Sequence, residues 1–216
     1  MCGLCYNKGN NGTLCRPALE RAWREGRSTT VESAEKTKYR LADSIKRLLK
    51  TTPLDKVTVK AIVEGAGVTR QTFYRNFLDK YDLVNWYFER LVEQSFREMG
   101  VSLTLREGLL NKFRFIKAEQ DFFACAFGSH DANSLIAYDY EYIYRFYSDI
   151  ITRKTGGPLD DDTAFLLEMY CRGSIQMTAQ WAVSGMARTP EAMVELLIES
   201  MPERLEMLLR QLTAPE

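Results

Sequence analysis

From residue 36 to the end of this 216-residue chain, apolar side chains recur at helical spacing, and no apolar run alternates between turn residues as a strand would. That pattern restricts the chain to an all-α fold. No period of 20–50 residues repeats, so a solenoid is excluded. No stretch of about 18 apolar residues is present to cross a bilayer. The opening residues lack the basic start and apolar centre of a secretory signal, and a cytoplasmic location is the expectation.

Helix boundaries follow from caps and breakers. A first helix is expected over residues 36–50, with Leu41, Ile45, Leu48 and Leu49 on one face, ended by Thr51-Thr52-Pro53. Thr58 caps a short helix holding Val59, Ile62 and Val63, which stops near Gly65 and Gly67. Thr69 caps another holding Phe73, Tyr74 and Phe77, and Asp79 caps a longer one with Leu83, Val84, Tyr87 and Leu91 inward. Before each of these three caps stands an apolar residue matched by one five positions on: Val57 with Ile62, Val68 with Phe73, Leu78 with Leu83. Such staples fix the angle at which a chain enters a helix, so a rigid cluster of short helices is expected.

Net charge over the whole chain is zero, but it is unevenly placed. Residues 36–90 carry 12 Lys/Arg against 6 Asp/Glu, and residues 91–216 carry 12 against 19. A basic module joined to an acidic one suits a nucleic-acid reader with a separate regulatory part. Residues 1–35, rich in Gly, Asn, Ser and Thr, read as a flexible extension. Three of the five cysteines, Cys2, Cys5 and Cys15, lie in it. They fall short of the four ligands of a structural zinc site, and the one histidine, His130, is far along the chain, so no metal and no cofactor are expected.

The stretch Ala66 to Lys80, AGVTRQTFYRNFLDK, concentrates hydrogen-bond donors on a short helix. Gly67 permits a left-handed turn between two steeply crossed helices. Val68, Phe73 and Phe77 anchor the second helix, leaving Thr69, Arg70, Gln71, Thr72, Tyr74 and Arg75 to face outward. Arg suits the acceptors of guanine, Gln those of adenine, and a Thr methyl the methyl of thymine. Lys80 adds charge at a helix start, where a phosphate binds. Thr58, Lys60 and Asn76 complete the expected contact set.

The run AGVTRQTFYRNFLDKYDL resembles the DNA-binding signature of TetR-type regulators over about residues 36–90, with Asn76 where many members carry His. QTFYRNFLDKYDLVNW is also similar to the subgroup that includes regulators of dihydroxyacetone-kinase operons. The resemblance implies a three-helix helix-turn-helix domain over 36–90 and a helical effector-binding and dimerisation domain over 91–216. It also implies a homodimer on a double-stranded, pseudo-palindromic operator, controlled by a small-molecule effector. Repression relieved by ligand is the family's commonest behaviour. An activator of the same fold, or a ligand-binding protein that no longer binds DNA, are the alternatives.

In the second part, eleven aromatic residues fall between Phe113 and Tyr147, out of 25 in the chain. Most serve as core; an effector pocket is expected among Phe113, Phe123, Phe127, Tyr142, Phe146, Tyr170 and Trp181. Thr104 with Glu107 makes a capping box. A long helix is expected over 161–184, and another from Thr189-Pro190-Glu191, bent slightly at Pro202. In the latter, Val194, Ile198, Met201, Leu205, Leu208 and Leu212 step by 4, 3, 4, 3, 4, a heptad-like seam. In TetR-like proteins the last two helices form the dimer interface, and Val194, Ile198, Met201, Leu205 and Leu208 are assigned to it on that resemblance. With one histidine and no Gly-rich phosphate loop, the sequence offers no enzyme constellation.

Overall fold

The computed structural model describes residues 34–99 and 103–209, without the side chains of 94–96. The chain divides into two compact units, Met1–Tyr39 and Arg40–Glu216. In the first, the described residues 34–39 are helical. Cys2, Cys5 and Cys15, most of the expected extension and Leu212 lie outside the described residues.

The described residues form helices joined by turns, apart from one isolated bridge between Met99 and Leu103. In chain order they are α1 (residues 34–49), α2 (Val59–Ala66), α3 (Arg70–Asn76), α4 (Lys80–Glu98), α5 (Leu105–Ala118), α6 (Gln120–Phe127), α7 (Leu135–Thr155), α8 (Asp161–Val183), α9 (Pro190–Glu199) and α10 (Glu203–Leu208). A single 3-10 turn, Leu54–Lys56, follows α1. The fold is all-α.

Local chemistry sets these starts. The side chains of Thr58, Thr69, Asp160 and Thr189 each accept a hydrogen bond from the N–H three residues on. Asp79 Oδ1 accepts from the N–H groups of Tyr81 and Asp82, both at 2.8 Å. Thr104 and Glu107 close a reciprocal capping box at α5. Each cap satisfies an N–H that helix geometry strands, worth about 1 kcal/mol. Gly67, with φ 63° and ψ 42°, ends α2 in the left-handed region that a side chain disfavours.

One continuous apolar core runs through the second unit. Leu41 and Ile45 of α1, Ile62 of α2, Phe73 of α3 and Leu83 of α4 are fully buried. Further along α4, Tyr87 meets Phe122 and Phe88 meets Phe123, edge to face with ring centres 5.2 and 6.1 Å apart. Thus the first half of α4 packs both on the N-terminal helices, through Trp86 against Phe77, and on α6. The domain boundary expected at residue 90 falls inside this unbroken helix.

Two local expectations are corrected. Leu78 is 84% exposed, so the third staple does not form. The entry to α4 is held instead by a polar bond, the Leu78 N–H donating to Asp82 Oδ2 at 2.8 Å. Pro202 does more than bend a helix. It ends one, with α9 stopping at Glu199 and α10 starting at Glu203, because proline lacks the N–H and its ring collides with the carbonyl four residues back.

Candidate nucleic-acid interface

The donor-rich helix α3 is presented by α2, and α2 is held by α1. Arg40 Nη2 donates to the carbonyls of Ala66 (2.7 Å) and Gly67 (3.3 Å), Ser44 Oγ to Ile62 (2.8 Å) and Arg47 Nη2 to Gly65 (2.8 Å). Three α1 residues, spaced by four and three, therefore hold α2: Arg40 and Arg47 cover carbonyls at its end that a helix leaves open and offset its dipole, and Ser44 adds a second bond to a carbonyl one turn earlier. The approach depends on Gly65, where a Cβ would stand 2.3 Å from Ser44 Oγ. Gly65 and Gly67 look alike in sequence, both near a helix end. Only Gly67 serves the turn; Gly65 is helical and makes room for α1.

On this frame Thr69, Arg70, Gln71, Tyr74 and Arg75 are exposed, as are Thr58 and Lys60 at the start of α2. Tyr74 is 58% exposed, its ring edge resting on the buried Phe73 with centres 5.4 Å apart. Thr72 and Asn76 are half-buried. Thr72 Oγ1 lies 3.0 Å from Thr69 Oγ1, and Asn76 Nδ2 donates to the Thr72 carbonyl at 2.7 Å. The amide nitrogen of Asn76 is thus engaged by its own helix.

Lys80 departs most from the sequence reading. Its Nζ donates to the carbonyls of Asp55 (2.8 Å) and Val57 (3.0 Å) and stands 5.1 Å from the centre of the Tyr81 ring. It is a strut between the 3-10 turn and α4, and its ammonium is spent inside the protein. Arg40, Lys46 and Arg47 also bond between helices, Arg40 and Arg47 while staying exposed. Four of the 12 basic residues of 36–90 therefore hold the helices together, which the charge count alone did not reveal.

Polar contacts also join this head to the helices behind it. Lys46 Nζ bonds Glu119 Oε1 (2.6 Å) and Tyr87 Oη (3.0 Å), and the Tyr87 hydroxyl donates to the same carboxylate (3.1 Å). Partial burial works against the Lys46 charge, but Glu119 and Tyr87 outweigh it and raise its pKa. The Cys125 thiol donates to the Leu49 carbonyl at 3.3 Å. Past the end of α6, the Ser129 hydroxyl donates to Asp55 Oδ1 at 2.6 Å, and Asn85 Nδ2 to the Asn133 carbonyl at 3.1 Å. The Ser129 bond, with that of Tyr81, holds the Asp55 carboxyl below its ordinary pKa.

Among the rings expected to line an effector pocket, Phe113, Phe123 and Phe127 are buried in the core. Phe113 packs on Trp181 at 5.3 Å, Phe123 on Phe127 at 6.1 Å, and Tyr170 on Tyr147 at 6.4 Å. Tyr142 and Phe146 are half-buried against the same core. Of the seven, Trp181 lines a described cavity, a groove of about 510 Å³ between α8 and α9. A second groove, about 760 Å³, lies between the loop 129–134, α7 and α8, and is bordered by His130, Asp131, Tyr140, Glu141 and Arg172. Arg172 lies over the Tyr140 ring at 4.4 Å.

Sequence reasoning missed a buried ion pair. Lys112 Nζ meets both carboxylate oxygens of Asp139, at 2.8 and 2.7 Å, with side chains 3% and 0% exposed. Burial pushes the Asp139 carboxyl up, against the pull of Lys112. Nothing marks this pair in sequence, since its members stand 27 residues apart on two helices.

The heptad-like seam faces its own protomer. Val194, Met201 and Leu205 are buried, and Ile198 and Leu208 are half-buried against the core. Residues already covered in the protomer have little surface to offer a second copy. On α8 to α10 the exposed large apolar residues are others: Phe165, Met169, Met177 and Val183 on α8, Leu196 on α9 and Met207 on α10.

Comparison with known proteins fits this geometry. Residues 41–85 match the family model for bacterial regulatory proteins of the tetR family, and residues 104–203 match a transcriptional regulator C-terminal region. No curated protein sequence gives a match. The fold is similar to that of the dihydroxyacetone kinase operon activator DhaS, at 17% identity and TM-score 0.54, over 82% of this chain and 98% of that one. Two further solved structures are similar at lower scores. One is the TetR family repressor AlkX from Dietzia sp., implicated in biodegradation of n-alkanes (16% identity, TM-score 0.49, 80% and 96% covered). The other is RolR in complex with resorcinol (18%, 0.48, 86% and 97%). With both halves of the chain matched in this order around an exposed donor-rich α3, the chain belongs to the TetR family of transcriptional regulators.

Proposed function

We propose that this regulator binds a pseudo-palindromic operator as a homodimer and represses transcription until a small-molecule effector releases it. The observation that carries DNA recognition is the exposed set Arg70, Gln71, Tyr74 and Arg75 on a helix whose orientation is fixed by α1. Thr58, Lys60 and Thr69 flank it as phosphate contacts, and Thr72 and Asn76 serve at its edge. Lys80 acts by positioning α4. The head comprises α1 to α3 and the first half of α4, and works wherever the cell keeps its DNA. No helix among the described residues is long and apolar enough to cross a membrane.

Two copies joined through the exposed faces of α8 and α9 would set two α3 helices in successive major grooves, about 34 Å apart. Effector control requires a ligand with different affinity for the two arrangements of the heads. The groove bordered by His130 and Tyr140 is placed for this, because Ser129 on its wall is bonded to Asp55 of the head. Activation is the second reading, which the similarity in fold to DhaS, named an activator, keeps in view.

Selection of bound duplexes from a random pool tests DNA recognition, with Arg70→Ala and Tyr74→Ala as comparisons. A palindromic site enriched by the wild type and lost in both variants is expected. A reporter driven from that site, with and without the regulator, decides between repression and activation.

A further inference from the structure

Along α8 the exposed residues Phe165, Met169, Gly173 and Met177 follow one another at intervals of four, and so share one face. With Leu196 beside them they expose roughly 400–500 Å² of apolar side chain, the size of patch that marks an interaction site. A standard interface covers about 800 Å² per partner, so this patch supplies its apolar centre. A ligand-free solvated face has no use for a Phe that is 67% exposed.

The face is symmetric about Gly173. Met169 and Met177 lie four residues to either side, and Phe165 lies eight residues before it. Eight residues after it stands Trp181, which with Met177, Met193 and Leu196 lines the groove of about 510 Å³ between α8 and α9. Eight residues of helix span about 12 Å. A two-fold interface requires that if one residue meets a second, the second meets the first. We infer that two copies pack with their α8 helices antiparallel and crossing at Gly173, so that Phe165 of each protomer enters the partner's groove between α8 and α9.

A Cβ added at Gly173 would meet nothing within 4 Å beyond its own helix, so the missing side chain serves no contact inside the protomer and leaves room for a helix to approach. Met169 of one copy then faces the partner's Met177, flexible thioethers suited to filling an irregular gap. The groove is large enough, since a cavity of about 150 Å³ already holds a benzene ring. This register rests on the homodimer proposed above and goes beyond it by naming which residue occupies which space.

The test is full-length Gly173→Cys oxidised in solution beside the wild type, which controls for the five native cysteines. Two residues on the axis come within the 7 Å between Cα atoms that a disulfide needs. Expected is a covalent dimer, with peptide mapping that places the new disulfide between position 173 of one copy and position 173 of the other. Independently, Phe165→Ala should weaken dimerisation about 100-fold by sedimentation, because the contact is lost twice in each dimer. A wild type that is monomeric at micromolar concentration overturns the homodimer itself. A dimeric wild type in which position 173 does not cross-link, or in which Phe165→Ala leaves the dimer constant unchanged, overturns this register and leaves the homodimer standing.

Discussion

Gly65→Ala should loosen the brace between α1 and α2, and Ser44→Ala should restore it. The added methyl would stand 2.3 Å from Ser44 Oγ, which is buried and donates to the Ile62 carbonyl at 2.8 Å. The hydroxyl has one torsion and no free space, so either its bond breaks or the helices separate. Overpacking of this kind costs about 1–3 kcal/mol, and loss of the hydrogen bond adds about 1. Replacing helical glycine by alanine returns about 1 kcal/mol, for a net loss of about 2. Ser44→Ala alone forfeits only the hydrogen bond, about 1 kcal/mol. In the double variant the oxygen is gone and the nearest Ser44 atom, Cβ, lies at 3.5 Å, an ordinary contact. The double variant should therefore be no less stable than Ser44→Ala, a coupling of about 2 kcal/mol. Urea unfolding of all four proteins reads it, with equal m-values to confirm a common unfolded state. Additivity within about 0.5 kcal/mol would show that the two helices do not meet as described.

Other consequences follow from single side chains. Lys112→Met leaves Asp139 buried without its ammonium and should cost about 3–5 kcal/mol at pH 7, while Lys112→Met with Asp139→Leu recovers most of it. The carboxyl pKa, already raised by burial, rises further in the single variant. Its folded state thus favours the protonated form: the variant's stability is best below the unfolded value near pH 4 and is lost as pH rises through the raised pKa. Melting at pH 4 and pH 7 checks the sign; a deficit that grows on acidification would be the wrong direction. Lys80→Met should lose about 1–3 kcal/mol of stability with its two carbonyl bonds, whereas Arg70→Ala should change stability by less than about 0.5 kcal/mol. Equal stability losses in the two would undo the distinction drawn between strut and reader.

What could be read in the sequence was local. Thr58, Thr69, Asp79 and Thr189 announce helix starts because a cap and its N–H lie within three residues, and Gly67 announces a turn. The exposed residues of α3 were readable for the same reason, since Phe73 and Phe77 say which side is inward. Partners distant in the chain were not readable. Lys80 looks like a phosphate-binding cation until its carbonyl partners, 23 and 25 residues away, are seen, and nothing in the sequence marks the Arg40 bonds to carbonyls 26 and 27 residues away. Spacing along α9 and α10 shows that Val194 and Leu205 are buried, but it does not say against what. The same holds for the rings from Phe113 to Tyr147, where aromatic density signals burial and is silent on whether a cavity remains.

Recognition of DNA by α3 is tested most directly by titrating the enriched duplex and a scrambled one with wild type, Arg70→Ala and Tyr74→Ala at several salt concentrations. The wild type should prefer the enriched duplex by about 10³-fold or more and weaken steeply with salt. Arg70→Ala should lose about 10- to 100-fold of that preference while remaining folded and dimeric. A folded, dimeric wild type that holds both duplexes equally at low salt, or variants that bind as well as it does, would mean that α3 does not read DNA.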